Sequence, residues 1–320
     1  MELNITNISS VSNEFINNRS MFSLEKRIKF FLFLILQAPS LGCTILILYH
    51  FNWSRIQSQI YGLLLIVNAF IIGVELPFTL YFLYEGNIYT KKICTPWITL
   101  NYSLSLLSIY LMAWTSIERY LFIYYERIIM RHNMLLHYIP NALIIFYCPF
   151  FYIGVVVIHT CQPVYDINQY LCGGACYQFE CTLGLFDWIG NGICIVMITF
   201  ILTILLIIRH VLTRHRMKSI ITIARRKEWR RSLKLSLQLL AIAMPYMIAW
   251  IPYSVIVLVQ IFHYNEQLAY ILSTYIGFLP YLQAFLLPHI CLLFIPEIKK
   301  KIFTILNIPC CRQRRIEAIA

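Results

Sequence analysis

The chain has 320 residues, of which 60% are hydrophobic and only 12% are charged, and its mean hydropathy is +0.70. Soluble globular domains average about 25% charged residues, so this composition excludes an ordinary soluble domain and indicates a membrane protein. In a membrane protein the net charge of +12 indicates attraction to acidic lipid headgroups, and nothing in the sequence calls for nucleic-acid binding.

Seven long apolar segments follow one another along the chain. Each has at least 21 residues, and about 20 residues of α-helix cross a hydrocarbon core of about 30 Å. Their continuous apolar character excludes membrane β-strands, which are short and alternate between apolar and polar residues. We therefore predict an all-α membrane protein, a seven-transmembrane-helix bundle with a short amphipathic C-terminal helix. The predicted spans are 28–50, 59–84, 96–120, 135–158, 188–208, 235–261 and 268–294.

Lysine and arginine residues predict the orientation of the bundle. With the N-terminus outside, the inner segments carry 20 of them and the outer segments carry six, as the positive-inside rule requires. The four basic residues before the first span favour the reverse orientation, but the ten between the fifth and sixth spans outweigh them. We expect a multi-pass plasma-membrane protein with an extracellular tail (1–27), a bundle (28–298) and a cytoplasmic amphipathic helix and tail (299–320).

The N-terminal tail is polar and carries three Asn-x-Ser/Thr sequons, at Asn4, Asn7 and Asn18. Such short motifs also arise by chance, but three of them in one outer tail favour glycosylation. We expect no cleavable signal peptide, because the first 27 residues are polar and the first apolar segment is long enough to remain as a span.

Cysteines cluster on the predicted outer side of the membrane. They are Cys94 at the start of the third span and Cys161, Cys172, Cys176 and Cys181 in the loop before the fifth span. An oxidising exterior favours disulfides between them. A zinc site that combines His159 with these cysteines is the alternative. Because five cysteines cannot all pair among themselves, the connectivity stays open.

The third span gives the first specific match to a known family. Cys94 and Arg119 are 25 residues apart, or about 37 Å in an α-helix, which places them at opposite ends of the span. Rhodopsin-like, or class A, G-protein-coupled receptors have their bridging cysteine and the arginine of their (Asp/Glu)-Arg-Tyr motif at this separation, and here Glu118-Arg119-Tyr120 occupies the motif. The chain resembles this family over 28–311, as a divergent, peptide-receptor-like member.

The sixth span carries a second match, because 246–253 is similar to the family's aromatic-x2-Cys-Trp-x-Pro-(Tyr/Phe) motif, with Ala249 in place of the cysteine. Pro252 has no N–H to bond the Ile248 carbonyl, so we expect a kink there, with Trp250 beneath a ligand pocket. Kinking prolines are also common in membrane helices without this function. Of the family's seventh-span Asn-Pro-x2-Tyr motif only Pro288 is kept.

The resemblance implies which residues form disulfides and which couple to a G protein. We single out Cys94 and Cys176 as disulfide cysteines. Arg119 is expected to hold the inactive bundle through Glu118 at the inner membrane boundary and then to turn toward the G protein; the alternative is an arginine that extends to lipid headgroups. The proposed coupling residues are Glu118, Arg119, Tyr120, Ile128, Ile129, Tyr246, Pro252 and Pro288.

Several positions depart from the family pattern, and these departures change what we expect of the sodium site, the inactive state and the ligand. The sodium-site aspartate, counted back from Pro77, falls on Ala69, and Ser232 replaces the acid that many relatives place opposite the motif arginine, so we expect a less firmly held inactive state. The seventh span has Tyr281 where an opsin has its retinal lysine, which excludes a photoreceptor. Asn101 replaces the aspartate of biogenic-amine receptors.

Glu75 is expected to be the one acid well inside the bundle, and an ionisable residue there is a candidate for function. It could bind a basic ligand group, or it could reach a protein partner or outer water. The loop 159–187 is acidic and has no lysine or arginine, which favours a cationic, neuropeptide-like peptide. The candidate ligand-binding residues are Glu75, Asn101, Tyr102, Trp250, Tyr253, Tyr275 and Tyr281.

Residues 297–306 are predicted to form an amphipathic helix at the inner membrane surface. Cys310 and Cys311 follow it beside Arg312 and are candidates for palmitoylation, with unmodified thiols as the alternative.

The sequence has no phosphate-binding loop, no His-Glu-x2-His and no serine-nucleophile motif, so we expect no enzyme activity, cofactor or metal. The expected partners are an extracellular ligand, a heterotrimeric G protein and the lipid bilayer. A seven-helix ligand-gated channel or transporter-like chemoreceptor is the alternative, and it would need a polar pore or inverted repeats, which the sequence does not display.

Overall fold

The computed structural model describes residues 5–54, 56–159, 161, 165–216, 223–263 and 265–294, with side chains described from Leu24 onward apart from gaps in the loops and around the fifth and sixth helices. Within these residues the chain is helical apart from short connections and contains no strand. The prediction of an all-α, seven-helix membrane fold is confirmed.

Seven long helices, numbered α1 to α7, make up this part of the chain, and four of them are built from consecutive segments. The helices are α1 (Ile5–Tyr49), α2 (Ile56–Phe70, Ile71–Glu75, Leu76–Glu85), α3 (Lys91–Tyr124), α4 (Met134–Tyr138, Ile139–Tyr152, Ile153–Ile158), α5 (Cys181–Leu185, Phe186–Ile193, Cys194–Arg216), α6 (Ile223–Phe262) and α7 (Glu266–Thr274, Ile276–Phe278, Leu279–Phe294). A short helix, Glu126–Arg131, connects α3 to α4.

The third helix lies at the centre of the bundle. It packs against α2, α4, α5 and α6, whereas α1 packs on α2 and α7, and α6 lies between α5 and α7. Six helices contain apolar stretches long enough to cross a membrane: Leu24–Tyr49, Ser58–Glu85, Met134–Ile158, Thr182–Arg209, Ser236–Phe262 and Glu266–Leu293. The 34-residue α3 is less apolar than these six because asparagine, serine and tyrosine interrupt its apolar residues. Three of its serines, Ser103, Ser108 and Ser116, are buried within the bundle.

We call the end of the bundle that carries Cys94 the outer end and the end that carries Arg119 the inner end, following the orientation expected from the sequence. Two disulfides link the outer residues, Cys94 to Cys172 and Cys161 to Cys176. Cys94 and Cys176 are thus both disulfide-bonded, but not to each other. The first bridge fixes the loop before α5 to the start of α3. The side chain of Cys181 lies outside the described residues.

The loop turns back over the bundle next to this bridge. Leu171 and Cys172 both have positive φ, 50° and 52°, which costs about 1–3 kcal/mol for a non-glycine residue. Both are buried, and Gly173 and Gly174 continue the turn with φ of 84° and 92°. The disulfide and the burial hold a backbone conformation that the sequence alone disfavours, and this conformation brings the loop over the outer end.

Four segments in the described part of the chain are π-helical: Ile71–Glu75, Met134–Tyr138, Ile153–Ile158 and Phe186–Ile193. A π-helical turn accommodates an extra residue and is frequent at functional sites. Three of the four contain a buried titratable residue: Glu75, His137 and Asp187. These three residues organise the polar clusters of the bundle.

Candidate functional site

A cavity of about 820 Å³, including its open mouth, lies between the helices at the outer end. Six of the seven candidate binding residues line it: Glu75, Asn101, Tyr102, Trp250, Tyr253 and Tyr281. Tyr275 lies elsewhere, 51% exposed, with its ring 4.7 Å from the Lys29 ammonium. No lysine, arginine or histidine is among the lining residues, so the cavity is acidic.

Glu75 is the centre of the first polar cluster, and its side chain is only 1% exposed. Its Oε1 accepts four hydrogen bonds, all from uncharged groups: Tyr281 OH at 2.8 Å, Asn101 Nδ2 at 2.9 Å, Trp97 Nε1 at 3.1 Å and Thr79 Oγ1 at 3.2 Å. Its Oε2 is buried and has no hydrogen-bond partner among the described residues. The carboxyl group is therefore held in place through one oxygen by α2, α3 and α7.

Asp187 forms a second cluster that the sequence analysis missed. It is 5% exposed, lines the same cavity, and accepts hydrogen bonds from Tyr177 OH at 2.7 Å, Tyr152 OH at 3.1 Å and Asn191 Nδ2 at 3.2 Å. The predicted fifth span began at residue 188, which left Asp187 in the loop, whereas α5 begins at Cys181. Glu75 is thus not the only acid inside the bundle.

Trp250 at the base of the cavity connects three helices. Its Nε1 donates to Gln283 Oε1 at 2.8 Å, and Gln283 Nε2 donates to Ser108 Oγ at 3.3 Å. This chain of hydrogen bonds joins α6 to α7 and α3. A ligand that displaced the indole would therefore disturb all three helices.

The loop before α5 covers the cavity with polar side chains. Gln178 accepts a hydrogen bond from Tyr102 OH at 3.1 Å, and the hydroxyl of Tyr170 lies 3.0 Å from that of Tyr281. Burial raises the pKa of Tyr170 and of Tyr177 well above its ordinary value, so both phenols keep their protons and remain hydrogen-bond donors.

A third cluster lies at the inner end, around the Glu-Arg-Tyr motif. The Nδ1 of His137 on α4 is 2.7 Å from Glu118 Oε1, and both side chains are 2% exposed. The Nε2 of His137 is 2.8 Å from Gln59 Oε1, and Gln59 Nε2 donates to the Trp53 carbonyl at 2.7 Å. Glu118 is therefore buried against α4, whereas the sequence placed it at a water-accessible boundary.

Arg119 is also buried, and its described partner is on α2. Its Nε donates to Tyr61 OH at 3.1 Å, and the guanidinium carbon lies 4.7 Å from the centre of the Tyr61 ring. Tyr120 lies under the guanidinium of Arg209 on α5 at 5.3 Å. In the short helix that follows α3, Ile128 is exposed and Ile129 is fully buried.

The second helix presents Asn68, not Ala69, to the interior. Asn68 is buried and its Nδ2 donates to the Ala284 carbonyl of α7 at 3.0 Å. The π-helical turn Ile71–Glu75 lies between this position and Pro77 and adds one residue to the helix. The count back from Pro77 therefore stopped one residue too early, at Ala69.

The prolines and the aromatic residue of the sixth-span motif lie within helices. Pro252 is inside α6, together with Pro245, and Pro288 is inside α7. Tyr246 is buried one helical turn before Trp250, toward the inner end. Neither helix is interrupted at these prolines.

Several predicted sites fall outside the described residues. These are Asn4, the amphipathic segment 297–306, Cys310 and Cys311, and the side chains of Asn7, Asn18 and Ser232. The zinc alternative combined His159 with the outer cysteines. His159 contacts Glu180 instead, with its Nε2 2.9 Å from Glu180 Oε1. The sulfur of the neighbouring Cys161 is part of a disulfide, as are those of Cys172 and Cys176.

Comparison with known families gives one result. The family described as 7 transmembrane receptor (rhodopsin family) matches residues 42–290, from within α1 to within α7. No curated protein matches the chain.

Proposed function

We propose a function from the premise that the chain belongs to the rhodopsin family of seven-transmembrane receptors, since the match covers well over half of its length. The protein is a G-protein-coupled receptor of the plasma membrane with an extracellular N-terminus. It converts binding of an extracellular ligand in the outer cavity into activation of a heterotrimeric G protein by outward movement of the inner end of α6.

One observation carries this proposal: the outer cavity and the inner motif are connected through the same helices. Trp250 at the cavity base is hydrogen-bonded through Gln283 to Ser108, and Ser108 lies on α3, which ends at the Glu-Arg-Tyr motif. A change of packing around Trp250 can therefore reach both α6 and α3. Coupling of two distant sites requires such an element with two arrangements that a ligand can bias.

A basic, neuropeptide-like peptide is the ligand that we propose. The free Oε2 of Glu75 offers a carboxylate oxygen to a cationic group, and the loop above the cavity contributes acids but no lysine or arginine. The cavity opens at the outer end beside the loop before α5, so the end of an extended chain could enter it there.

At the inner end we propose that Arg119 leaves Tyr61 on activation and contacts the G protein. The hydrogen bond and the ring contact with Tyr61 hold the guanidinium toward α2, away from the inner surface. Exposed Ile128 is better placed than buried Ile129 to contact the G protein. Pro252 and Pro288 are the positions at which α6 and α7 are expected to bend.

The test is a screen of basic peptides on cells that express the full chain, with a second-messenger readout. We expect an active peptide whose response is abolished in Arg119→Ala and lost or strongly reduced in Glu75→Gln. Lys92→Ala, which changes an exposed basic residue at the outer end of α3, is the control and should respond normally.

Two results would contradict the proposal. A peptide response that persists in Arg119→Ala would show that the motif does not couple to the G protein. A ligand-gated current in a membrane without G proteins would support the channel alternative instead. An unchanged dose response in Glu75→Gln would remove Glu75 from the binding site and leave the signalling proposal intact.

A further inference from the structure

The outer cavity contains two buried carboxylates, and the proposed function uses only one. Glu75 is on α2 and Asp187 is on α5, and α3 packs between these two helices. Both side chains are more than nine-tenths buried. The two acids therefore lie on different sides of one cavity.

All the hydrogen-bond donors described around these two acids are uncharged. Glu75 receives its four hydrogen bonds from hydroxyl, amide and indole groups, and Asp187 receives its bonds from two tyrosines and one asparagine. Such donors stabilise a carboxylate but do not neutralise its charge. Two acids and no basic side chain among the described lining residues make the cavity better suited to a cationic than to an anionic ligand.

The unpartnered oxygen of Glu75 indicates where one cationic group would bind. A buried acceptor without a donor is destabilising, and more so when the acceptor is charged. Within the described residues Oε1 already has four donors, while the buried Oε2 has none, so the carboxyl can still accept a hydrogen bond. A protonated amine or a guanidinium at Oε2 would supply both the hydrogen bond and the opposite charge.

Asp187 is a second anchor for a positive group. Its described partners are Tyr152, Tyr177 and Asn191, which donate hydrogen bonds but carry no charge, so a cation beside it would add the missing counter-charge. Tyr102, Trp250 and Tyr253 line the same cavity and offer aromatic faces, which bind alkyl chains and cations. The space between the acids thus suits an apolar linker.

We propose that the cavity binds a ligand with two cationic groups, one paired with Glu75 and the other with Asp187. This inference rests on the proposed function and specifies its ligand: a peptide would present two basic groups, such as a terminal amine and a lysine or arginine side chain. A singly charged ligand would leave one acid without a counter-charge.

The test uses the purified full-length protein in lipid nanodiscs and two series of probes. The first series is linear diamines with three to eight carbons between the amines, and the second is monoamines of the same chain lengths. Binding is measured as the rise in unfolding temperature with probe concentration. We expect at least one diamine to act at a concentration at least tenfold lower than its matched monoamine.

Two variants test whether Glu75 and Asp187 cause the preference for diamines. Glu75→Gln and Asp187→Asn should each remove the advantage of the diamine over the monoamine, whereas Glu266→Gln, an exposed acid at the outer end of α7, should keep it. Comparison of the two probe series on the unaltered protein remains informative even if a variant fails to fold.

The proposal is overturned if diamines of every length act no better than monoamines, or if the advantage persists in both variants. These outcomes are separate from failure of the proposed function. A receptor that signals through Arg119 but does not prefer diamines keeps its function and loses this ligand class. If the cavity prefers diamines but the protein activates no G protein, the ligand class is supported and the proposed signalling function is not.

Discussion

Glu118 of the Glu-Arg-Tyr motif lies 2.7 Å from His137 of α4, and both side chains are buried. The other ring nitrogen of His137 lies 2.8 Å from Gln59 Oε1 on α2, and Gln59 Nε2 donates to the Trp53 carbonyl. The motif acid thus belongs to a buried hydrogen-bonded group that joins α3 to α4 and α2.

Removal of the His137 ring should destabilise the protein. His137→Ala takes away the described hydrogen-bond partner of the buried Glu118 carboxyl, and leaving a buried polar group unsatisfied costs about 1–3 kcal/mol. We expect a lower unfolding temperature in detergent, measured by fluorescence. The double variant His137→Ala with Glu118→Gln should recover part of the loss, and His132→Ala, an exposed inner-loop histidine, should change little. Equal losses in the single and double variants would show that the two side chains do not stabilise each other.

The hydroxyl of Tyr61 should restrain basal signalling. Tyr61→Phe removes the acceptor of the Arg119 Nε hydrogen bond but keeps the ring beside the guanidinium. A hydrogen bond to a charged group contributes about 1.5–3 kcal/mol, so its loss should raise ligand-independent G-protein activation by about tenfold. Nucleotide exchange on a purified G protein measures this, with the exposed Tyr125→Phe as control. Unchanged or reduced basal exchange would mean that Tyr61 does not hold the inactive state.

Glu75 should reduce the stability of the ligand-free protein. Glu75→Gln keeps an oxygen for the four donors and removes a buried charge that has no described cationic partner. Functional sites commonly carry such a cost in stability. We expect a higher unfolding temperature for the ligand-free variant, by an amount that corresponds to about 1–2 kcal/mol. Glu85→Gln, exposed at the end of the same helix, is the control; a variant less stable than the parent would show that the carboxylate contributes to folding.

The two disulfides should differ in their contribution to stability. The Cys94–Cys172 bridge closes a loop of 78 residues and the Cys161–Cys176 bridge one of 15, and the chain-entropy estimate is about 4.5 kcal/mol for the first and about 3 kcal/mol for the second. Cys172→Ser should therefore lower surface expression and unfolding temperature more than Cys161→Ser. The exposed free Cys194→Ser is the control.

The pairing itself can be checked by combining variants. Because Cys94 and Cys172 form one bond, the double variant should be no worse than either single variant. If instead Cys94→Ser and Cys176→Ser were non-additive, those two cysteines would be the bonded pair.

Local patterns in the sequence predicted the fold well, because apolar length alone defines membrane spans. They also predicted the helix faces that meet at the cavity, where Glu75, Asn101 and Tyr281 come together. These three residues were found by counting from family motifs on the same helix, such as Cys94 and Pro288. In a regular helix a fixed number of residues gives a fixed distance and face, so residues at such spacings can be placed from the sequence.

Residue positions that depend on an irregular backbone could not be predicted by counting along the sequence. The π-helical turn in α2 moves the interior position from Ala69 to Asn68, and the early start of α5 brings Asp187 into the bundle. Contacts between helices were also missed, since nothing local in the sequence indicates that His137 reaches Glu118. Both kinds of error arise where tertiary packing determines the geometry.

The central position of α3 has a consequence for how the protein is made. A nascent chain delivers its helices to the membrane one after another, and a helix that carries asparagine and several serines partitions poorly into lipid by itself. Contacts with α2 and α4 are therefore needed to retain α3 in the bilayer. Biogenesis of this receptor is expected to be cooperative, with α3 integrated only as part of a group of neighbouring helices.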